Sequence, residues 1–278
     1  MANKDLLEKW LRRFVERQKK EAEEAKKKPK GKEEKPTPEI EIPEFKEAFF
    51  LEGEFGREIN ENVQKKYGNY EAINTVEYED NIIKGSNPFY VVAVQEFLPQ
   101  GIRVATQADL EKILKTKILK LEGQYEDSSL VWRSNQDPNK YLAKDIHEQL
   151  KLRGINLKEG KPYVIPLFTL KLREDSESEH KLAFDITDLT LQSYFEAPIL
   201  NSKSGSYINP SEMNDATGLP NKVYDKQVSG NRQLWTRSSG ICRLCLDRNL
   251  DAYSYYGDLA DSNAYGRVVC VRAVGTTA

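Results

Sequence analysis

The segment RSSGICRLCLDRNLDAYSYYGDLADSNAYGRVVCVR, residues 237–272, is written in a different alphabet from the rest of this 278-residue chain. From Arg237 to Ala278 there is no Lys, Glu, Gln, Met, Trp, Phe, His or Pro, and all 28 Lys and all 29 Glu lie before Trp235. Ordinary chains carry about a quarter of their residues charged, spread along their length. The segment holds instead all three cysteines, Tyr253, Tyr255, Tyr256 and Tyr265, and a scatter of Ser, Asp, Asn, Gly and Arg. Its two strand-like runs, Arg243–Leu246 and Arg267–Arg272, are short and apolar enough to be buried.

Upstream of the segment, residues 201–232 are polar, carry Gly205, Pro210, Gly218, Pro220 and Gly230, and show no periodicity. A loop that long inside a domain is functional or inserted. Before it, Tyr163–Leu172 and Leu182–Leu191 read as strands. A helix is expected after Asp137-Pro138, with Asp137 as its cap, Leu142, Ile146 and Leu150 as its buried stripe and Gly154 as its stop. Another follows Thr106-Gln-Ala-Asp109, a capping-box variant, with Leu110, Ile113 and Leu114 facing inward. Phe89-Tyr-Val-Val-Ala-Val94 is a continuous apolar β-rich run and reads as a buried strand; Tyr90–Val94 is expected to pair with Arg267–Arg272 and join the two ends of the body. The order of one strand, two helices, then strands and long loops is an α+β pattern.

The body begins near Ile40, so residues 40–278 are taken as one domain. Residues 1–28 read as an amphipathic helix, with Leu6, Leu7, Trp10, Leu11, Phe14 and Val15 on one face that gives way to Lys, Glu and Ala. Residues 29–39 are a Pro- and Gly-containing linker. The arm is either a solvated extension or a helix that docks Trp10 and Phe14 in a partner's groove. Net charge is -2, split as +5 over residues 1–35 and -7 beyond. A mildly acidic body argues against nucleic acid as the main ligand. No apolar run is long enough to span a bilayer. Met1–Trp10 lacks the order of a secretory signal. A cytoplasmic protein or a virion component is therefore expected. Three cysteines do not suggest a disulfide framework.

Leu234-Trp235-Thr236, Ser239-Gly240, Arg243-Leu244, Leu246-Asp247-Arg248, Ala252-Tyr253, Asp258-Leu259-Ala260-Asp261-Ser262 and Gly266–Arg272 resemble the C-terminal region of proteins with the C-type lectin fold. Among these, the chain looks most like the variable proteins diversified by diversity-generating retroelements. The likeness is strong over the tail, architectural over residues 85–200 and absent from the arm. It implies a C-type lectin-like fold with long loops and a variable region at 237–272. In that family, template adenines in Asn codons are scrambled, which makes Lys, Glu, Gln, Met and Trp unreachable; the tail lacks all five. The plain alternative is a small-residue loop region that happens to lack long side chains. The resemblance makes Leu244, Leu246, Leu259, Val269 and Val271 scaffold. It makes Arg237, Ile241, Cys242, Cys245, Asn249, Tyr253, Tyr255, Tyr256, Asn263 and Tyr265 variable positions pointing to solvent. Exposed Tyr with Ser, Gly and Asn is the chemistry of an adaptable binding surface.

Other signals carry less. Cys242-Arg-Leu-Cys245 has CxxC spacing, but a zinc site needs two more ligands and only Cys270, His147 and His180 remain, with no spacing that pairs them. A redox pair normally opens a helix, and this one lies in a strand-like run. Sugar-binding lectins of the resembled fold use a calcium loop whose ligands are not in place here: Thr236 and Arg237 follow Trp235, and no acid precedes Asn209-Pro210. No catalytic residue, metal or cofactor is expected. The leading expectation is a non-enzymatic recognition protein that binds a macromolecule, a protein, through residues 237–265, as receptor-binding proteins of phages and viruses or surface-display proteins do. The alternative is an enzyme of the same fold, resembling the formylglycine-generating oxidases or metal-dependent, using Cys242 and Cys245; its two-residue gap departs from that family's spacing.

Overall fold

The computed structural model describes residues 44–274; the expected helix at 1–28 and linker at 29–39 lie outside the described residues. β1 (Phe45–Phe50) leads into α1 (Gly53–Tyr67), α2 (Glu71–Asn74) and a hairpin of β2 (Glu77–Glu79) and β3 (Ile82–Lys84). Next come α3 (Pro88–Phe97), β4 (Ile102–Val104), α4 (Gln107–Thr116), β5 (Glu126–Trp132) and α5 (Lys140–Leu152). The second half is mostly strand. It runs through β6 (Tyr163–Pro166), β7 (Leu170–Glu174), β8 (Leu182–Ile186), the short helix α6 (Asp188–Ser193), β9 (Phe195–Glu196) and β10 (Ser206–Ile208). It closes with β11 (Arg232–Thr236), β12 (Ile241–Leu246), β13 (Ala252–Ser254) and β14 (Val269–Ala273).

Helices and strands are thus mixed along one chain. The main sheet has seven strands in the order β10-β11-β13-β12-β5-β6-β9, with β11 and β13 parallel and the other neighbours antiparallel. A second, three-stranded sheet has the order β1-β14-β4. β7 and β8 form a separate hairpin.

The run Phe89–Val94 is not a strand. It lies inside α3, and β14 pairs instead with β1 (Phe49 opposite Cys270) and with β4 (Cys270 opposite Val104). The ends of the described body do meet, but through β1. Every residue from Pro88 to Val94 is buried, so this part of α3 has no polar face, and a helical stretch apolar all round shows no period to distinguish it from a buried strand. The deciding signals stand just before it. The Asn87 side chain accepts from the Tyr90 N–H at 2.9 Å as an N-cap, and Pro88 occupies the first turn.

Other expectations hold with adjusted boundaries. Thr106 and Asp109 form a reciprocal capping box on α4, with Leu110 and Ile113 fully buried. α5 buries Leu142, Ile146 and Leu150, but its cap position is Asn139 rather than Asp137. The Asn139 amide is drawn away to donate to the Ile241 carbonyl at 2.9 Å, which fixes where the helix starts against β12. Tyr163–Leu172 is broken by a 3-10 turn at Leu167–Thr169 into strands of different sheets. Leu182–Leu191 ends as strand at Ile186, where Thr187 caps α6. α1 was not foreseen. Its buried stripe, Gly56, Ile59, Val63 and Tyr67, keeps helical spacing but offers little apolar bulk.

Alternation along the strands sorts side chains onto the two faces of the main sheet. Leu130, Trp132, Ile165 and Ile241 face the helices and join the largest core with α1, α3 and α5. Val131, Val164, Leu234, Cys242 and Leu244 face the other way and pack with Phe195 of β9, with Leu200, and with Ile208, Met213 and Leu219 of the long connecting region. That region is the expected loop, and it closes the far side of the core. Gly218 (φ +66) makes this possible at one point: a Cβ there would lie 2.3 Å from the Gln107 carbonyl carbon. A third cluster joins α4, β1 and β14 around Leu246.

Asn87 is fully buried, and its Nδ2 donates to Ala72 O at 2.7 Å, Thr75 Oγ1 at 3.0 Å and Ala260 O at 3.2 Å. Asn87→Ala removes a cap and strands buried carbonyls, so it should cost about 3 kcal/mol. Chemical denaturation measures this; a loss under about 1 kcal/mol would mean water replaces the amide without penalty.

Candidate functional site

The helices cover their face of the main sheet over β12, β5 and β6 and leave β11 and β13 open. Trp235 on β11, Tyr253 on β13 and Cys245 on β12 are successive cross-strand partners, so they share that face in one row. Trp235 and Tyr253 are stacked, with centroids 5.7 Å apart and planes at 21°. Tyr253 stacks in turn on Tyr256, at 5.1 Å and 6°, and Tyr255 meets Tyr256 edge-on at 6.4 Å. These are the separations at which aromatic pairs attract. The row forms a shelf from which Tyr255 (50% exposed) and Tyr256 (40%) rise into solvent.

Arginines hold the rings from behind. The Arg243 guanidinium lies 5.2 Å from the Tyr256 centroid and 5.5 Å from that of buried Tyr125, filling the space between them. Its charge is matched by Asp127, 3.6 Å away, and it donates to the Asp261 carbonyl at 2.9 Å. Burial is the largest influence and works against the Arg243 charge, but Asp127, with Cys245, Tyr125 and Asp261, together outweighs it and keeps the group protonated. Asp127 accepts from Ser86 Oγ at 2.8 Å. Arg237 lies over Tyr255 at 5.7 Å and donates to its carbonyl at 3.0 Å. Arg248 covers Tyr265 at 3.6 Å. Tyr265 is 49% exposed, and its carbonyl accepts from the Tyr125 N–H, which ties it to the Arg243 layer.

Seven of the ten expected display positions reach solvent. Asn249, Tyr255, Tyr256, Asn263 and Tyr265 are exposed, and Arg237 and Tyr253 are half-buried. Ile241, Cys242 and Cys245 are buried and do not point to solvent. Ile241 sits on the helix-covered part of the sheet and belongs to the main core. Cys242 belongs to the core beneath the long connecting region, where it takes Arg133 Nη1 at 3.0 Å. Cys245 lies in the shelf row itself but is roofed by the loop that carries Tyr256. Leu244, Leu246, Leu259, Val269 and Val271 are all buried.

The two cysteines of the CxxC leave β12 on opposite faces, so they cannot meet in one pocket, share a metal or bridge each other. No cluster of three or more His, Cys, Asp or Glu is arranged to hold a metal among the described residues. Burial, then the Asp127 charge, pushes the Cys245 thiol well above its usual range, and burial holds Cys270 up at about 12. Neither is a ready thiolate. All three cysteines are free and buried, so a thiol-alkylating reagent should label the native protein at none of them and all three after unfolding. Stoichiometric labelling of a folded thiol would reopen the enzyme alternative.

Trp235, Arg243, Asp247 and Arg248 belong to this site, although in the sequence they mark only the resemblance and are not among the expected display positions. Trp235 alternates with buried Leu234 and Thr236, which was a legible strand signal. The stacking of arginines on tyrosines from other loops was not. Burial, then the Asp247 charge, pushes the Tyr253 hydroxyl up to about 12, and the same two causes raise Tyr256. Both hydroxyls therefore stay neutral at physiological pH, able to donate and to accept.

Glu126 lies one residue from this layer. It is buried, neither carboxyl oxygen has a hydrogen-bond partner among the described residues, and burial first, then the Asp127 charge, raises it well above its ordinary value. A carboxyl raised in the folded state binds its proton more tightly there than in the unfolded chain. Its contribution therefore favours folding at acid pH and is lost as pH rises from about 4.5 through the raised value. Glu126→Gln should flatten this part of the stability–pH profile and raise the melting temperature at pH 8 more than at pH 5. An unchanged profile would show that Glu126 titrates as an ordinary carboxyl.

Compared with protein-family models, curated proteins and solved structures, the chain matches none. Among the described residues, no helix is long and apolar enough to cross a membrane.

Proposed function

We propose that this is a non-enzymatic recognition protein. Its C-type lectin-like scaffold displays a surface diversified by a retroelement, in the manner of phage or viral receptor-binding proteins or surface-display proteins. The observation that carries the reading is a coincidence of two boundaries. The stretch from which Lys, Glu, Gln, Met and Trp vanish supplies three of the four exposed tyrosines among the described residues, while the scaffold positions Leu244, Leu246, Leu259, Val269 and Val271 within it are buried. Selection for foldability alone has no reason to exclude Lys and Glu from exposed loops while keeping Arg and Asp.

The surface suits protein recognition. Tyrosines add large contact area with few torsions to freeze, and anchors of this kind dominate interfaces. Here each ring is already held by another ring or by an arginine, which lowers the ordering cost on binding. The display set is Arg237, Asn249, Tyr253, Tyr255, Tyr256, Asn263 and Tyr265; Ile241, Cys242 and Cys245 are withdrawn from it. The partner is a macromolecule, a protein, and a virion or a cell surface is the setting that fits. No observation favours the enzyme alternative, since its two cysteines face apart.

Sequencing the locus across its natural population tests this. The reading expects a near-identical template repeat and a reverse transcriptase close to the gene, with variation concentrated at the display set and absent from Leu244, Leu246, Leu259, Val269 and Val271. A locus with neither element, and uniform variation, would overturn it. In the protein, replacing the five exposed members, Asn249, Tyr255, Tyr256, Asn263 and Tyr265, with Ser should shift stability by about 0.5 kcal/mol or less per site.

A further inference from the structure

Alternation places a second row beside the aromatic one. Two residues from Cys245, Tyr253 and Trp235 lie Asp247, just past the end of β12, Asp251, just before β13, and Gln233 on β11; the backbone bond between Asp247 and Asp251 carries the pairing of β12 and β13 one step further, so the three continue the same face. Asp247 N donates to Asp251 O at 2.8 Å, and Gln233 N donates to Asp251 Oδ1 at 2.7 Å, which holds the row together. Asp251 is buried and engaged. Asp247 is half-buried, and its carboxylate makes no hydrogen bond or ion pair to any described residue. Its charge reaches Tyr253 and Tyr256, where it is the largest influence after burial.

Nearby cations are committed elsewhere. Arg243 is matched by Asp127 and lies behind Tyr256. Arg232 pairs with Glu111 at 2.7 Å and donates to Leu250 O. Arg237 and Arg248 lie over Tyr255 and Tyr265. An accessible carboxylate without a counter-ion, beside tyrosines whose ring faces are already stacked, is complementary to a basic side chain: the carboxylate supplies the charge, and the ring edges and hydroxyls give contact area and acceptors to the stem and head group that carry it. The acidic body, -7 beyond residue 35, adds long-range attraction of the same sign.

We propose that Asp247, with Trp235, Tyr253 and Tyr256, forms the subsite in which the shelf receives a basic side chain, a guanidinium or ammonium group, of its protein partner. This rests on the display-surface reading above and names the chemistry of what that surface takes. Asp247 contacts the ligand; Arg243, fixed behind Tyr256, is a positioning residue.

Panning a random dodecapeptide library against the full chain tests both levels. Binders are kept only if they lose affinity for the triple variant Tyr253→Ser, Tyr255→Ser, Tyr256→Ser. The proposal expects these peptides to share an Arg or Lys and to bind Asp247→Asn at least tenfold more weakly, with the melting temperature of that variant unchanged. Asp247→Lys should turn the same selection toward peptides carrying Asp or Glu. Tyrosine-dependent peptides without a basic residue, or ones that bind Asp247→Asn as tightly as the parent, would overturn the cation subsite and leave the display surface standing. Should no tyrosine-dependent binder emerge, the display reading itself falls, and this proposal with it. Should Asp247→Asn lower the melting temperature, Asp247→Ser and the charge-reversed selection decide in its place by the same criteria.

Discussion

A buried primary amide holds the architecture in register. Asn87 caps α3 with its oxygen, while its nitrogen reaches the end of α2, Thr75 and the Ala260 carbonyl in the tail loop. The preceding residue extends the same junction. The Ser86 N–H donates to Ser262 Oγ, its hydroxyl to Asp127, and its carbonyl accepts from Tyr125. From Asp127 the chain of contacts continues to Arg243 and so to the ring of Tyr256. A turn of two polar residues thus connects the start of the central helix to the underside of the exposed shelf. With buried polar groups, satisfaction has to be complete or the cost is high, so this junction tolerates little rearrangement.

The shelf exists because the helical layer is narrower than the sheet. Seven strands present a wide face, and α3 and α5 cover the part over β12, β5 and β6. The uncovered strands, β11 and β13, must then carry side chains that accept partial solvation. Trp235 and Tyr253 do so by stacking on one another, leaving an edge and a hydroxyl to water. On the other face, Leu234 and Ala252 stay buried beneath the long connecting region. One strand therefore answers to two environments, and its alternation records both.

Much of this was legible from particular residues. The Thr106–Asp109 box, the Leu142–Ile146–Leu150 stripe and the terminal strand follow from local pattern, while the exposure of Tyr255, Tyr256 and Tyr265 agrees with what the resemblance implies. Failures came where the pattern loses its information. Phe89–Val94 is apolar on every side, so period could not separate helix from strand, and the capping signal of Asn87-Pro88 carried the answer. The resemblance makes Ile241, Cys242 and Cys245 variable positions pointing to solvent; their burial depends on which strands the helices and the long loop cover, a tertiary fact. The ion pair of Arg243 and Asp127 joins β12 to β5, and its pairing has no trace in local sequence.

β14 lies downstream of residues 237–265 and is the middle strand of its sheet, hydrogen-bonded to β1 on one side and β4 on the other. A stop codon or a shift of reading frame anywhere in the tyrosine-bearing stretch deletes that strand. β1 and β4 then have nothing to join them, and the apolar surfaces of Phe45, Ile102 and Val104 are left unpaired. Substitutions in the exposed loop leave β14 in place and pass unnoticed by the core. The topology therefore acts as a proofreader: it rejects errors of length and phase in the segment while remaining indifferent to the spelling of its exposed positions.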